Sequence, residues 1–334
     1  MLRWWRQYRS ITRNAVVVGM SDPVFLIVLL STLVLMGLLG TVPTFNMGEE
    51  LRLIRDQSLA LVFLGGCITA GLGMAVVVAR ELRQGVIGTL MSRPVSGLSL
   101  LAGKLSGVGL ILVLYQLPAG AACLWMMRIA AAAGRHQELN NVAVAGYFAA
   151  IALPPVAVGA WHYFNGGHYP WQASAVTALA FPGLFLLACF LSPGHHADGG
   201  WGAGVDWRSV PALIMLLCGV FVFAAVLLPV SARLDAGGVL VIAAGLFFFG
   251  LFSNHVINNL LSPGWVYYTV KAAVPNWQVF WVPDWLATRE PLDWGRLWRH
   301  TGACAVHALA YAAACLAAGG FLFNRVEVSG DDTF

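Results

Sequence analysis

Long runs of apolar residues restrict this chain to one kind of environment. Runs near 23–42, 57–79, 98–127, 208–230, 236–256 and 302–323 each hold the ~20 mostly apolar residues that a helix needs to cross a bilayer. Two weaker runs lie near 142–162 and 172–192, interrupted by Pro154-Pro155 with Gly159 and by Pro182-Gly183. Eight spans are expected, with six as the alternative, in which the weaker pair forms a re-entrant or peripheral hairpin. Either even number leaves both termini on one side of the membrane.

Composition agrees. Of 334 residues, 59% are hydrophobic and only 10% are charged, where a soluble domain carries about 25%. The expected fold is an all-α polytopic membrane protein, built as a single transmembrane domain over 1–328 with a polar tail at 329–334. A net charge of +4, with no massed basic groove, points to no nucleic-acid partner. The partner it does imply is the lipid bilayer. The six cysteines, Cys67, Cys123, Cys189, Cys218, Cys304 and Cys315, all fall within apolar runs and read as small buried hydrophobes.

Orientation follows from the basic residues, which favour the cytoplasmic side of short loops. With the N-terminus inside, ten of the nineteen Lys and Arg residues face inward, a count that decides little. The assignment rests on the first span, preceded by Arg3, Arg6, Arg9 and Arg13 and followed by Glu49 and Glu50. Both termini are then cytoplasmic. The first twenty residues are polar and aromatic, with no small-x-small site after a short apolar stretch, so the first run is expected to remain as a span. Within 1–20 the arginines recur every three or four residues, on a different helical face from Trp5, Tyr8, Ile11 and Ala15. That spacing predicts an amphipathic helix in the membrane interface.

A short charged interruption lies between the second and third runs. Arg80, Glu81, Arg83 and Arg93 fall within 80–96, followed by Pro94 as a helix stop. Such a segment offers a docking surface to a soluble partner. As an ordinary loop it would only satisfy the positive-inside rule. A second unusual segment, 257–300, holds Trp265, Trp277, Trp281, Trp285, Trp294 and Trp298. Indole rings favour the headgroup region, so this segment is expected along the outer surface. Trp277, Trp281 and Trp285 would share a face of a short helix made irregular by Pro283.

Several chemistries find no motif. No Gly-x-x-x-x-Gly-Lys-Ser/Thr loop, Gly-x-Ser-x-Gly elbow or His-Glu-x-x-His helix occurs. The chain is expected to carry no cofactor and no ATPase motif of its own, and not to be an enzyme. His195-His196 with Asp198 lies in a Gly-rich stretch, where His pairs more often solvate a loop than hold a metal. Span centres lack Asp, Glu, Lys and Arg, so a transport cycle would draw its energy from outside the chain. Gln116 and His307 lie within apolar runs and are candidate pathway residues, although such groups commonly bond a neighbouring helix. Gly103 and Gly107 would permit close helix contact at the start of the third span.

In their order along the chain, these elements resemble the membrane subunits (permeases) of ABC transporters of the type-2, exporter-like kind. The basic helix precedes the first span. After the second come Glu81, Gly85 and Leu90, then Pro94-Val95-Ser96, with Lys104 opening the third, like the family's E-x-x-x-G-x-x-x-x-L … P-V-S … K segment. Pro275-Asn276-Trp277-Gln278-Val279-Phe280 is similar to the family's element between its last two spans. Phe323, Arg325 and Glu327 match its terminal F-x-R-x-E. The resemblance covers about 1–128 and 208–328. It departs at 129–207, where two extra spans would replace a short connection.

The resemblance implies an exporter in the cytoplasmic (inner) membrane, formed as a permease homodimer or heterodimer. It also implies a separate ABC ATPase subunit, with ATP bound by that partner. The residues implied for ATPase coupling are Glu81, Leu82, Arg83, Gly85, Thr89, Leu90 and Pro94. Glu81, Arg83 and Arg93 would make charge-assisted contacts, and Leu82, Val86, Ile87 and Leu90 would fill an apolar cleft. Two other readings stand beside it. One is a non-transporting membrane scaffold, and the other is a membrane-embedded enzyme using His195, His196, His300 and His307.

Overall fold

A computed structural model describes residues 2–41, 50–81, 97–136, 141–191, 202, 204–260, 262, 264–282, 286 and 293–329. Helices carry nearly all of these residues, and no strand occurs among them. In chain order they are α1 (Leu2–Ser21), α2 (Pro23–Thr41), α3 (Glu50–Gly73) continuing as a π-helical segment (Met74–Arg80), α4 (Gly97–His136), α5 (Asn141–Asn165), α6 (Tyr169–Leu191), α7 (Ser209–Ser231), α8 (Ala236–Leu260), α9 (Trp265–Ala273) and α10 (Trp294–Ser329).

Eight of the described helices are long and apolar enough to cross a membrane: Pro23–Thr41, Leu51–Arg80, Gly97–Ala131, Asn141–Asn165, Tyr169–Phe190, Ser209–Ser231, Ala236–Leu260 and Trp294–Leu322. The protein is therefore an all-α, multi-pass membrane protein, with eight candidate spans among its described residues. The proline-bearing pair forms two full helices, each long enough to be a span. Tyr169 at the start of α6 donates its hydroxyl to Pro155 O at 3.3 Å, a bond between the two helices of the pair. The turn from α5 to α6 uses Gly166 (φ 67°) and Gly167 (φ 119°). Gly166 N–H caps α5 at His162 O, 2.8 Å away, the left-handed helix ending that glycine makes at least cost.

The second span is the most deeply enclosed, packed by α2, α4 and α7, with its π-helical end also against α8 and α1. Spans four and five dock as a unit on α4 and α2 through rings. Trp125 of α4 meets Tyr147, Phe181 and Phe185 at centroid distances of 5.6, 5.7 and 5.8 Å, and Tyr147 donates its hydroxyl to Leu33 O at 2.7 Å.

Helix α1 is amphipathic, as the arginine spacing predicts. Arg6, Arg9 and Arg13 are exposed, whereas Ala15 and Met20 are buried. Its apolar face packs on α4. A Cβ added at Gly103 would meet Ile11, one at Gly107 would meet Ala15, and one at Gly19 would meet Ile111. The two helices thus run parallel in fixed register for over two turns, with Tyr8 Oη 2.6 Å from Ser106 Oγ. The Gly103/Gly107 pair provides this seam.

The seam has no room for side chains. Gly107→Leu is expected to cost ~1–3 kcal/mol by overpacking, read as a lower melting temperature of the detergent-solubilised protein. An exposed control such as Gly302→Leu, where added bulk meets nothing, should leave it unchanged.

Candidate functional site

The site is the end of the bundle from which residues 82–96 depart. Three helix ends converge there. Asp22 separates α1 from α2: its Oδ1 accepts from Val24 N at 3.0 Å, and Pro23 follows as the first helical residue. This is the N-cap with proline one step inside that starts a helix most readily. The same carboxylate presents Oδ2 to Arg80 Nη1 at 3.9 Å, so the joint between α1 and α2 lies beside the end of the second span.

That end is π-helical over Met74–Arg80, and Met74 through Ala79 are buried without interruption. Glu81 follows, its amide bonded to Val78 O. The ammonium of Lys104, about two turns into α4, donates to Glu81 Oε2 at 2.8 Å and to Val77 O at 2.7 Å. The Lys104 and Glu81 side chains are 4% and 20% exposed. An unpaired charge in such a place would be costly, and each satisfies the other. The ion pair clamps the end of the second span to the third span.

Of the residues that the sequence singles out for coupling, Glu81 is placed at this clamp, its carboxylate turned inward to Lys104 rather than out to a partner. Leu82, Arg83, Gly85, Thr89, Leu90 and Pro94 lie outside the described residues, as do Arg93, His195, His196 and Asp198. Asp22 was not among the sequence candidates. The Asp-Pro step at the head of an apolar run is the signal that marks it.

Gln116 and His307 are not brought together. Gln116 Nε2 donates to Leu213 O at 3.0 Å, a link from α4 to α7, and its Oε1 is buried with no partner among the described residues. His307 lines an open groove of about 630 Å³ with Val226, Pro229, Leu246, Pro275 and Tyr311. The positions that they touch on α7 lie 13 or more residues apart, roughly 20 Å along the axis.

Within the tryptophan-rich segment Trp265, Trp294 and Trp298 are exposed, and Trp277 is not. Trp277 is 3% exposed and reaches the middle of α8, donating Nε1–H to Phe247 O at 3.0 Å, with Phe63 and Phe223 beside it. Gly250 makes the space, since a Cβ there would meet the indole. Residues 277–279 form a single 3₁₀ turn rather than a helix carrying Trp277 and Trp281 on one face, because Pro275 and Pro283 bound the stretch. Broken backbone at this depth survives only if protein satisfies it. Ser253 Oγ lies 3.1 Å from Pro275 O, His300 Nε2 lies 3.2 Å from Val279 O, and Arg55 Nη1 donates to Leu286 O at 3.2 Å.

No family model matches the chain, and no curated protein matches it.

Removing one partner of the clamp strands the other. Lys104→Met or Glu81→Leu alone should cost ~3–5 kcal/mol, and the two together much less. Thermal melts of the four proteins test this, and a double variant that loses the sum of the single losses would contradict the clamp.

Proposed function

We propose that this protein is the permease subunit of an ATP-driven ABC transporter, moving a substrate out across the cytoplasmic membrane with a separate ATPase subunit that binds the ATP. The observation that carries the reading is the clamp. A charged segment with the order Glu81, Gly85, Leu90, Pro94-Val95-Ser96 is rooted in two adjacent spans that Lys104 and Glu81 hold together. A soluble motor pushing on such a segment would displace both spans at once. The parallel seam between α1 and α4 extends the moving unit to the N-terminal helix, and the Asp22–Arg80 contact ties it to the first span.

In this reading the permease works as a homodimer or heterodimer, with both termini and 80–96 in the cytoplasm. Arg83 and Arg93 are the charges that remain for the ATPase, because Glu81 is engaged within the membrane chain. Leu82, Val86, Ile87 and Leu90 supply apolar contact, as buried anchors do in other interfaces. The segment 275–282, wedged among the second, sixth and seventh spans, would close the pathway from the outer side.

The test is co-expression with the ATPase subunit encoded beside this gene. Arg83→Glu is expected to weaken copurification about tenfold, equivalent to ~1.4 kcal/mol. Glu81→Lys should leave copurification intact while stopping substrate-stimulated ATP hydrolysis. An ATPase that copurifies with neither the parent nor any variant would return the weight to a membrane scaffold.

A further inference from the structure

Lys104 makes two bonds, and only one of them is to a charge. In an α-helix the Glu81 amide would bond four residues back, to Val77 O. Here it bonds three residues back, to Val78 O, a 3₁₀-type closure just beyond the π segment, and the Val77 carbonyl accepts from the Lys104 ammonium at 2.7 Å. A side chain from the neighbouring helix thus occupies the acceptor that the α register would give to the Glu81 amide. No proline or glycine lies within Met74–Arg80 to account for the widened turn. Val76, Val77 and Val78 are β-branched, which weakens the local preference for α-helix only slightly. What distinguishes this stretch is the cation that its backbone faces.

We propose that Lys104 is a positioning residue that holds Met74–Arg80 in the π form. Withdrawing its ammonium lets the stretch return to the α register. One residue of register is about 100° around the helix axis and ~1.5 Å along it. Arg80 and Glu81 turn by that amount: Arg80 leaves Asp22, and Glu81 leaves Lys104. The two registers exchange one set of bonds for another. In the π form the ammonium has two acceptors, and in the α form Glu81 N–H regains Val77 O. Short π stretches in otherwise α-helical elements recur at functional sites, and a pair of discrete packings is what a switching element requires. The seat is asymmetric in a useful way: Asp22 and Arg80 stand 3.9 Å apart, a loose contact that the turn breaks readily. The consequence for transport rests on the permease reading, but the register change belongs to this chain alone.

The experiment is an electron–electron resonance distance between nitroxides at Arg80→Cys and Leu234→Cys, in the full chain with its six native cysteines replaced, reconstituted without any ATPase. Lys104→Met combined with Glu81→Gln removes the pin without stranding a charge. It should move the distance peak by up to about 8 Å, the chord of a ~100° turn on a helix 10–12 Å across. Lys104→Arg keeps a donor within reach and should hold the parent distance. The exchange Glu81→Lys with Lys104→Glu restores opposite charges but puts an acceptor against Val77 O, so it should give the moved distance. An unmoved peak in the paired variant, or the parent distance restored by the exchange, overturns the proposal. Because no ATPase is present, failure of the register change and failure to recruit an ATPase are separate results.

Discussion

Within a bilayer there is no water to take up a hydrogen bond that a helix releases, so every interruption of a spanning helix must bring its own partners. Three interruptions organise this protein, and each is satisfied by a named group. The joint between α1 and α2 is capped by Asp22. The π-helical end of the second span is met by Lys104. The broken stretch at 275–282 is met by Ser253 and His300, and Leu286 by Arg55. The first two share one end of the bundle and are linked through Arg80, and the third enters the bundle between the second, sixth and seventh spans.

This grouping has a mechanical meaning. A helix end held by two bonds from a neighbour moves with that neighbour, and the second and third spans are joined in this way at Glu81 and Val77. Helix α1 adds a long lever in fixed register with α4, with Arg6, Arg9 and Arg13 exposed and Ile11 and Ala15 against Gly103 and Gly107. The end of the second span is therefore tied to α4 by these bonds, and the same span carries Phe63 beside the indole of Trp277.

The spans were legible because hydropathy over twenty residues is an additive signal that no single proline cancels. That is why α5 and α6 form despite Pro154, Pro155 and Pro182. The amphipathic α1 was legible in the arginine spacing, but its partner was not. Gly103 and Gly107 are common among apolar spans, and only the placement of Ile11 and Ala15 shows what they admit. The π segment left no local trace, since its cause is a lysine 27 residues away in sequence. Trp277 misleads for a different reason. Tryptophan's preference for the interface is an average over rings with no cavity to enter, and here Gly250 on a distant helix opens one. Glu81 was legible as an important charge, while its direction depended on Lys104.

Spans four and five stand outside the contacts that join the other spans. Spans four and five touch the bundle from one side, by way of Trp125, Tyr147, Phe181 and Phe185, and Tyr147 anchors them to the carbonyl of Leu33. They do not come between the third span and the sixth: Gln116 of α4 bonds directly to Leu213 of α7, and Gly120 lies against the same leucine. A hairpin added outside a closed set of contacts costs the core nothing, whereas one inserted between α4 and α7 would have had to remake it. The contact of α6 with α1 gives this added layer one connection to the lever, so the hairpin can brace the N-terminal helix while leaving the clamp and its spans as they are.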